Sequence, residues 1–319
     1  MGESQVNLSV REVFDRIVAE SVNKKDQGTA WERAVKFFLE NDPLYADRFD
    51  GVWMWADAPT NNGKQDVGID LVARDAKTGE YWAIQAKCYT DAALSEGSVA
   101  TFFMQATEDV YTYRVLADTA VKLTKDLEAY VNEHDNVVRI GLDDIERSNL
   151  PWQDFYTNGM HLTCEEVRQG RERLVFEPRK HQRRAIDAVK AEFETADRTT
   201  LVMACGTGKT LTALRLAEEL VPGGTVLFLA PSISLVAQSM RDWAEQVRGR
   251  LNPYVVCSDP KASSLGKGDP AEVAESYGTL SMVPYPATTN SGLLASRFRA
   301  DPGALNVVFS TYQSIDVIH

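Results

Sequence analysis

The sequence has few cysteines and no long apolar run, and both absences limit what kind of protein it is. Its 4 cysteines among 319 residues lie far apart without a Cys-x-x-Cys pair, which argues against a disulfide framework and a structural zinc site. We therefore expect a reducing compartment. The polar N-terminus lacks the apolar run of a signal peptide or a membrane span, so the sequence predicts a cytoplasmic protein without a membrane partner.

Positive charge is scarce as well. The net charge of -12 argues against a protein that coats nucleic acid through its average charge. A local exception is residues 171–184, RERLVFEPRKHQRR, which hold six Lys or Arg against two Glu. Such a strip is either a contact to DNA phosphates or the solvated face of a helix, and the sequence leaves both interpretations open.

A glycine-rich stretch in the second half predicts a nucleotide site. Residues 203–210 read MACGTGKT and lie between Thr200–Met203, which we expect to be a short buried strand, and Leu211–Leu220, which has the period of an amphipathic helix. Gly206 and Gly208 let the backbone turn so that successive N–H groups face one anion. A phosphate would then lie at a helix N-terminus, where the helix dipole favours it.

The remaining residues of this loop support the same prediction. Thr207 separates the two glycines, Lys209 adds a cation and Thr210 adds a hydroxyl suited to Mg²⁺. Met203 is a departure, because the phosphate-loop pattern starts with Gly or Ala. We expect ATP with Mg²⁺ to bind here.

Two predicted strands in the first half, Gly68–Asp75 and Tyr81–Tyr89, carry polar side chains that can meet. Because side chains alternate along a strand, Gln85 and Lys87 share one face. A four-residue turn between the strands would place Asp70 opposite Gln85. A three-residue bulged turn would shift the register by one residue and separate them, and the sequence permits both turns.

An acid, an amide and a lysine in this arrangement suit the hydrolysis of a phosphodiester. A divalent cation polarises the phosphate and lowers the pKa of an attacking water. Asp70 would be the main Mg²⁺ ligand, Gln85 would add a neutral oxygen, and Lys87 would offset charge on the phosphate oxygens or orient the water. A second acid is needed, for which Glu32 is the first candidate and Asp66 the second. The alternative is a buried Asp–Lys pair with a purely structural role.

Two segments of this hairpin resemble a known family. Gly68-Ile-Asp70 followed by Ile84-Gln-Ala-Lys87 is similar to PD-(D/E)xK nucleases of the Mrr-like branch, in which Gln replaces the acid before the lysine. The resemblance implies a restriction-endonuclease-like αβββαβ domain. Longer segments resemble the N-terminal nuclease domain of type ISP restriction-modification enzymes, with a departure at Ala86-Lys87-Cys88. Those segments are Phe37–Ala46, Tyr81–Tyr89, Arg139–Leu142 and Pro151-Trp152.

The order of segments around the phosphate loop resembles superfamily-two helicases. The resemblance implies that Gln182, upstream of the loop, reads adenine through its amide. It also implies that Ser232, Thr311 and Ser314, at the ends of predicted strands, contact the DNA backbone through their hydroxyls. A single Ser or Thr at such a place is also a common helix cap. Residues 258–290 are rich in Gly, Pro, Ser and Lys, which predicts a long surface loop.

These observations and resemblances predict an α/β chain in three parts. Residues 1–155 would be the nuclease domain, residues 156–170 a linker, and residues 171–319 a RecA-like lobe with a mainly parallel sheet. The resemblance implies that the first part cuts double-stranded DNA with Mg²⁺ and that, in the intact protein, ATP turnover moves the DNA past it. S-adenosylmethionine would bind only to methyltransferase domains that this chain lacks.

One expected motif is missing from the second half. No apolar strand that ends in an Asp-Glu pair follows Thr210, so the Mg²⁺ shell of an ATPase is incomplete. We therefore expect a fragment of a longer enzyme that binds nucleotide weakly without appreciable hydrolysis. Two alternatives stay open: a non-catalytic DNA-binding module on a repair or remodelling helicase, and a nucleotide-sensing regulator.

Overall fold

The computed structural model describes residues 8–63, 68–89, 93–160, 167, 174–257 and 283–318. The chain forms two compact units: Met1–Glu172 with Leu280–Pro286, and Arg173–Thr279 with Ala287–His319. Within the described ranges, no helix has the length and apolar character that a bilayer span requires. The predicted boundaries at 155 and 170 stay predictions.

The first unit begins with two helices, α1 (Val10–Glu20) and α2 (Lys24–Asn41). Ser9 and Glu12 form a capping box at the start of α1, and Asn23 caps α2 by accepting two backbone N–H groups. The buried face of α2 is aromatic and aliphatic, and the helix packs against the first and third strands of the sheet.

A five-stranded mixed sheet forms the centre of this unit. Its strands, in spatial order, are β1 (Phe49–Met54), β2 (Leu71–Asp75), β3 (Tyr81–Lys87), β4 (Tyr111–Asp118) and β5 (Val137–Gly141). The first three strands are antiparallel and the last three are parallel. Leu71 lies opposite Ile84, and Asp75 donates its N–H to the carbonyl of Glu80 at 2.9 Å. The turn therefore has four residues, 76–79.

Helices on both sides bury the sheet. Helices α3 (Glu96–Gln105) and α4 (Lys125–Glu133) share one apolar core with β2, β3 and β4. Two short helices, α5 (Leu142–Glu146) and α6 (Trp152–Thr157), follow the last strand. Helix α6 continues two residues into the predicted linker, because Phe155 stacks on Phe37 with ring centroids 4.6 Å apart.

A segment from much later in the sequence completes the first unit. The hydroxyl of Tyr285 accepts a hydrogen bond from Arg48 at 2.7 Å, and the Arg48 guanidinium also lies 2.5 Å from the carboxylate of Asp75. The guanidinium is 5.2 Å from the ring of Trp82, within cation–π range. Tyr45 donates its hydroxyl to the carbonyl of Pro284. Burial raises the pKa of Tyr285 to about 12.

The second unit contains a four-stranded parallel sheet in the order β6-β9-β7-β8. Its strands are β6 (Thr225–Ala230), β7 (Arg250–Val256), β8 (Ala287–Thr288) and β9 (Ala304–Thr311). Its helices are α7 (Lys180–Glu192), α8 (Lys209–Leu220), α9 (Ile233–Gln246) and α10 (Ser291–Arg297). The rings of Phe228, Trp243 and Phe309 pack on one another between α9 and the sheet. The α/β class and the parallel sheet of this unit confirm the prediction.

Two local predictions in the second unit were wrong. Thr200–Met203 is not a strand, and Leu201 and Val202 are 42% and 88% exposed. The apolar run has no ladder partner within the described ranges, and only Met203 of its apolar side chains is partly buried. The predicted loop 258–290 ends early, because Ala287–Thr288 pairs with β7; residues 258–282 lie outside the described residues.

Candidate functional site

Asp70 lies directly before β2 and bonds to β3 and to Trp55, the residue after β1. Its N–H donates to the carbonyl of Ile84 at 2.9 Å, and its carbonyl accepts the N–H of Trp55 at 2.8 Å. Its carboxylate oxygen Oδ2 accepts the backbone N–H of Ala86 at 2.7 Å. The paired strand starts at Leu71 rather than at the predicted Gly68, so Asp70 is at the margin of the ladder, with its carboxylate directed towards β3.

Gln85 and Lys87 on β3 each have a polar group without a partner among the described residues. Gln85 is 3% exposed, and its side-chain oxygen Oε1 is buried without a hydrogen-bond donor. A buried acceptor left unsatisfied costs about 1–3 kcal/mol, so this oxygen is suited to receive a cation. Lys87 is half-buried, and its ammonium has no ion-pair or hydrogen-bond partner among the residues that the structure describes.

The helix that carries Glu32 lies over the ends of the same strands. Trp31 donates its indole N–H to the carbonyl of Ala117 in β4 at 3.4 Å, and the helix also contacts β3, which ends one residue before Cys88. Burial raises the pKa of Cys88 to about 11, so this thiol stays protonated. Glu32 follows Trp31 and is half-buried.

The described acids alone do not form a metal site near Asp70. No group of three His, Cys, Asp or Glu side chains is placed to hold a metal ion in the described part of the chain. Asp66, the reserve ligand, lies outside the described residues. A cation near Asp70 would therefore need the neutral oxygen of Gln85 in addition to carboxylates. The unsatisfied Gln85 oxygen fits that need.

Sequence reasoning missed the residues that hold the ends of β3 and β4. Asp118 is fully buried and accepts two hydrogen bonds from Arg139, at 2.9 and 3.0 Å, so its carboxylate is committed to that pair. Thr119 bonds to the backbone of Tyr89 through its hydroxyl. The sequence did indicate these two residues in one respect: Asp118 and Thr119 directly follow the apolar run of β4, where polar side chains can hold a strand end.

The phosphate loop of the second unit leads directly into α8. Gly206 and Gly208 both have positive φ, at 74° and 79°, a backbone conformation that glycine adopts without strain. Thr207 donates its hydroxyl to the carbonyl of Ala204 at 2.6 Å. The Lys209 ammonium donates to loop carbonyls at 3.2 and 3.3 Å. Thr210 is half-buried in the first turn of α8.

Gln182 lies beside this loop, and its amide bonds to the loop backbone. Its Nε2 donates to the carbonyls of Thr207 and Gly208 at 3.1 and 3.3 Å, and its Oε1 accepts the N–H of Arg179 at 2.7 Å. The side chain is 3% exposed. Gln182 therefore holds the loop and caps α7 in this structure. Its contact with adenine stays a prediction.

The three hydroxyls expected at DNA are engaged inside the protein. Ser232 caps α9, with its oxygen accepting the N–H of Leu235 at 3.3 Å. The hydroxyls of Thr311 and Ser314 are 3.0 Å apart, and both side chains are buried. Ala230 pairs with Thr311, so Ser232 and Thr311 lie at the same edge of the parallel sheet. The DNA contact of this edge stays a prediction.

The basic strip is partly neutralised by acids. Arg183 donates to Glu219 at 2.7 and 3.1 Å, and Lys190 donates to the same carboxylate at 2.9 Å. The hydrogen bonds from Arg183, followed by that from Lys190, lower the pKa of Glu219 to about 2. Glu177, an acid within the strip, pairs with Arg248, which lies outside it, at 2.5 Å. Part of the strip is therefore used to join α7 to α8; residues 171–173 lie outside the described ranges.

Comparison with known families covers most of the chain in two segments. Residues 40–161 match the restriction endonuclease family Mrr_cat_2, and residues 175–319 match the family ResIII, described as type III restriction enzyme, res subunit. No curated protein matches the chain.

Two solved structures are similar to the chain. The ATP-dependent Type ISP restriction-modification enzyme LlaBIII bound to DNA is 26% identical, with a TM-score of 0.74, over 96% of this chain and 19% of that chain. A nuclease-deletion mutant of the Type ISP restriction-modification enzyme LlaGI, in complex with a DNA substrate mimic, is 38% identical over 45% of this chain and 13% of that chain, with a TM-score of 0.35. The chain thus spans about a fifth of the length of LlaBIII.

Proposed function

Because the chain joins an Mrr-type restriction endonuclease domain to a helicase-type domain, as type ISP restriction-modification enzymes do, we propose that it is part of a Mg²⁺-dependent DNA endonuclease coupled to an ATP-driven translocase. The first unit would hydrolyse phosphodiester bonds. The second would be the first lobe of the motor that moves double-stranded DNA past it.

One observation carries the nuclease proposal. The Asp70 carboxylate is bonded to the backbone of β3 at Ala86, between Gln85 and Lys87. The neighbouring Gln85 oxygen is buried and unsatisfied, and the Lys87 ammonium has no partner within the described residues. An acid, a neutral oxygen acceptor and a cation at one strand end suit a metal-dependent nuclease.

Each residue has a distinct role in this proposal. Asp70 and Gln85, with Glu32 from α2, would hold Mg²⁺. When bound, the cation would polarise the scissile phosphate and lower the pKa of the attacking water. Lys87 would place its ammonium against the phosphate oxygens, where negative charge increases in the transition state. Burial of Gln85 strengthens these interactions, because it excludes water from part of the site.

The motor proposal rests on the loop before α8. Gly206, Thr207 and Gly208 would present backbone N–H groups to the ATP phosphates, and Lys209 would exchange its loop carbonyls for phosphate oxygens. Thr210 would hold the Mg²⁺ of the nucleotide. The sheet edge at Ser232, Thr311 and Ser314 would follow the DNA backbone, which positions the protein without reading sequence.

The nuclease proposal is tested by cleavage of supercoiled plasmid with Mg²⁺ or Mn²⁺. Asp70→Asn and Lys87→Ala should each abolish nicking, because one removes the charged ligand and the other the cation. The matched controls are Asp57→Asn, at an exposed acid after β1, and Lys77→Ala, in the exposed turn of the same hairpin. Unchanged nicking by both site variants would remove the assigned site.

The alternative is a non-catalytic DNA-binding module, which Gln85 in place of an acid favours. Calorimetric titration with Mn²⁺ separates the two functions. The nuclease requires a Mn²⁺ site that Asp70→Asn abolishes, whereas DNA binding without such a site would support the module.

A further inference from the structure

The placement of Lys87 depends on what holds the end of β3, because Lys87 is the last residue of that strand. The chain leaves the sheet at Cys88 and Tyr89, and residues 90–92 lie outside the described ranges. On the parallel neighbour, β4 also ends here, with Asp118 opposite Lys87. The residue after β4, Thr119, lies beside the exit of β3.

Thr119 makes three hydrogen bonds to the backbone of this exit. Its N–H donates to the carbonyl of Lys87 at 3.1 Å, which continues the ladder by one residue. Its hydroxyl accepts the N–H of Tyr89 at 2.7 Å and donates to the carbonyl of Tyr89 at 2.6 Å. A single buried hydroxyl therefore satisfies both backbone groups of Tyr89.

Thr119 is itself fixed from the next strand. Arg139 of β5 donates two hydrogen bonds to the buried carboxylate of Asp118 and a third, at 3.0 Å, to the carbonyl of Ala120. Asp118 also accepts the N–H of Ala120 at 3.0 Å. Residues on both sides of Thr119 are thereby held by one guanidinium, so three adjacent strands determine the path of the backbone at Lys87.

We infer that Thr119 is a positioning residue for Lys87: it holds the end of β3 so that the lysine ammonium stays at the site formed by Asp70 and Gln85. This inference rests on the proposed nuclease function. Thr119 touches neither DNA nor metal in this role. A displacement of about 1 Å in a reacting group can cost about 100-fold in rate, so a small movement of the strand end is sufficient to matter.

The test compares Thr119→Val, which keeps the side-chain shape and removes the hydroxyl, with Thr119→Ser, which keeps the hydroxyl. Amide hydrogen exchange at Tyr89 should increase at least about fivefold in Thr119→Val, because its N–H loses its acceptor, and stay near wild type in Thr119→Ser. Thr124→Val is the matched control, since the Thr124 hydroxyl makes no capping bond at α4.

The same variants are compared in single-turnover plasmid cleavage with saturating Mn²⁺. Thr119→Val should lower the rate roughly 10- to 100-fold without changing the affinity for DNA, and Thr119→Ser should restore it. If Thr119→Val does not fold, Thr119→Ala, which adds no second methyl, takes its place. Faster exchange at Tyr89 with an unchanged cleavage rate would overturn the inference.

The exchange measurement separates this inference from the proposed function. If the wild-type chain does not cut DNA, the nuclease proposal fails. Unchanged exchange at Tyr89 in Thr119→Val would overturn the role of Thr119 whether or not the chain cuts.

Discussion

The carboxylate of Asp70 accepts the backbone N–H of Ala86 at 2.7 Å, so the acid at the start of β2 is bonded to the strand that carries Gln85 and Lys87. A carboxylate has two oxygens and several lone pairs, so a carboxylate that accepts a backbone N–H can also bind a cation. The bond also fixes the direction of the Asp70 side chain before any ligand binds. Preorganisation of this kind lowers the cost of assembling a site.

Gln85 should be more important for metal binding than for stability. Gln85→Met removes the unsatisfied buried oxygen, so the metal-free chain should be unchanged or more stable by about 1 kcal/mol. The rise in melting temperature that Mn²⁺ gives the wild type should be lost, because that rise depends on affinity for the native state. Thermal unfolding in chelator and in Mn²⁺ measures both effects. Gln105→Met, at an exposed position of α3, is the control; a retained Mn²⁺ shift in Gln85→Met would contradict the assignment.

Gly208 should tolerate alanine less well than Gly206. Both have positive φ, so both substitutions carry a similar backbone strain of about 1 kcal/mol. A Cβ at Gly208 would lie 2.4 Å from the Nε2 of Gln182, whereas a Cβ at Gly206 would have no neighbour within 4 Å. Gly208→Ala should therefore weaken binding of a fluorescent ATP analogue more than Gly206→Ala. Equal losses of affinity for the analogue in the two variants would show that Gln182 does not constrain the loop.

Glu219 should make the second unit sensitive to acid. Its pKa is lowered to about 2 by Arg183 and Lys190, below about 4.3 in an unfolded chain. A carboxylate whose pKa is lower in the folded state stabilises the protein at pH values above its unfolded-state pKa. This stabilisation is lost as the pH falls through the folded-state pKa. Glu219→Gln should thus be less stable than wild type at neutral pH, and the difference should shrink between about pH 5 and pH 2.

The measurement for Glu219 is thermal unfolding across that pH range. Glu192→Gln, at an exposed acid at the end of α7, serves as the control and should follow the wild type. If the melting temperature of Glu219→Gln changes with pH in parallel with that of the wild type, the ion pairs with α7 do not contribute to stability.

Tyr285 should stabilise the first unit although it is distant in sequence. Tyr285→Phe removes the oxygen that accepts from the half-buried Arg48, and a hydrogen bond to a charged group contributes about 1.5–3 kcal/mol. The unfolding transition of the first unit should shift to lower temperature. Tyr312→Phe, at a residue 56% exposed, is the control. Equal transitions for the two variants would mean that the contact with Arg48 adds nothing.

The chain should bind nucleotide without turning it over. Lys209→Ala should abolish binding of the ATP analogue, because the loop loses the only side-chain cation in its MACGTGKT sequence. Phosphate release should stay at background with and without DNA, since no Asp-Glu pair ends a predicted strand after Thr210. Lys180→Ala, at the start of α7, is the binding control. Phosphate release stimulated by DNA would refute this prediction.

Much of the local structure could be predicted from neighbouring residues. Alternation along β3 placed Gln85 and Lys87 on one face, and the glycines at 206 and 208 predicted a turn that the structure shows with positive φ at both. The two family resemblances agree with the matched segments, 40–161 and 175–319. The prediction of a strand at Thr200–Met203 was wrong. Its apolar residues are typical of a strand, but a strand also needs a pairing partner elsewhere in the chain.

The sequence by itself determined the periodicity of the strands and helices, the turns that need glycine, and the kinds of side chain available for phosphate and metal chemistry. Only the tertiary structure decided that Asp70 bonds to Ala86, that the Gln85 oxygen is left unsatisfied, and that Thr119 holds the end of β3. It also decided that Gln182 bonds to the phosphate loop and that Arg48 meets Tyr285. The physical reason is that periodicity arises between near neighbours, whereas these contacts form between residues that the fold brings together from distant positions in the chain.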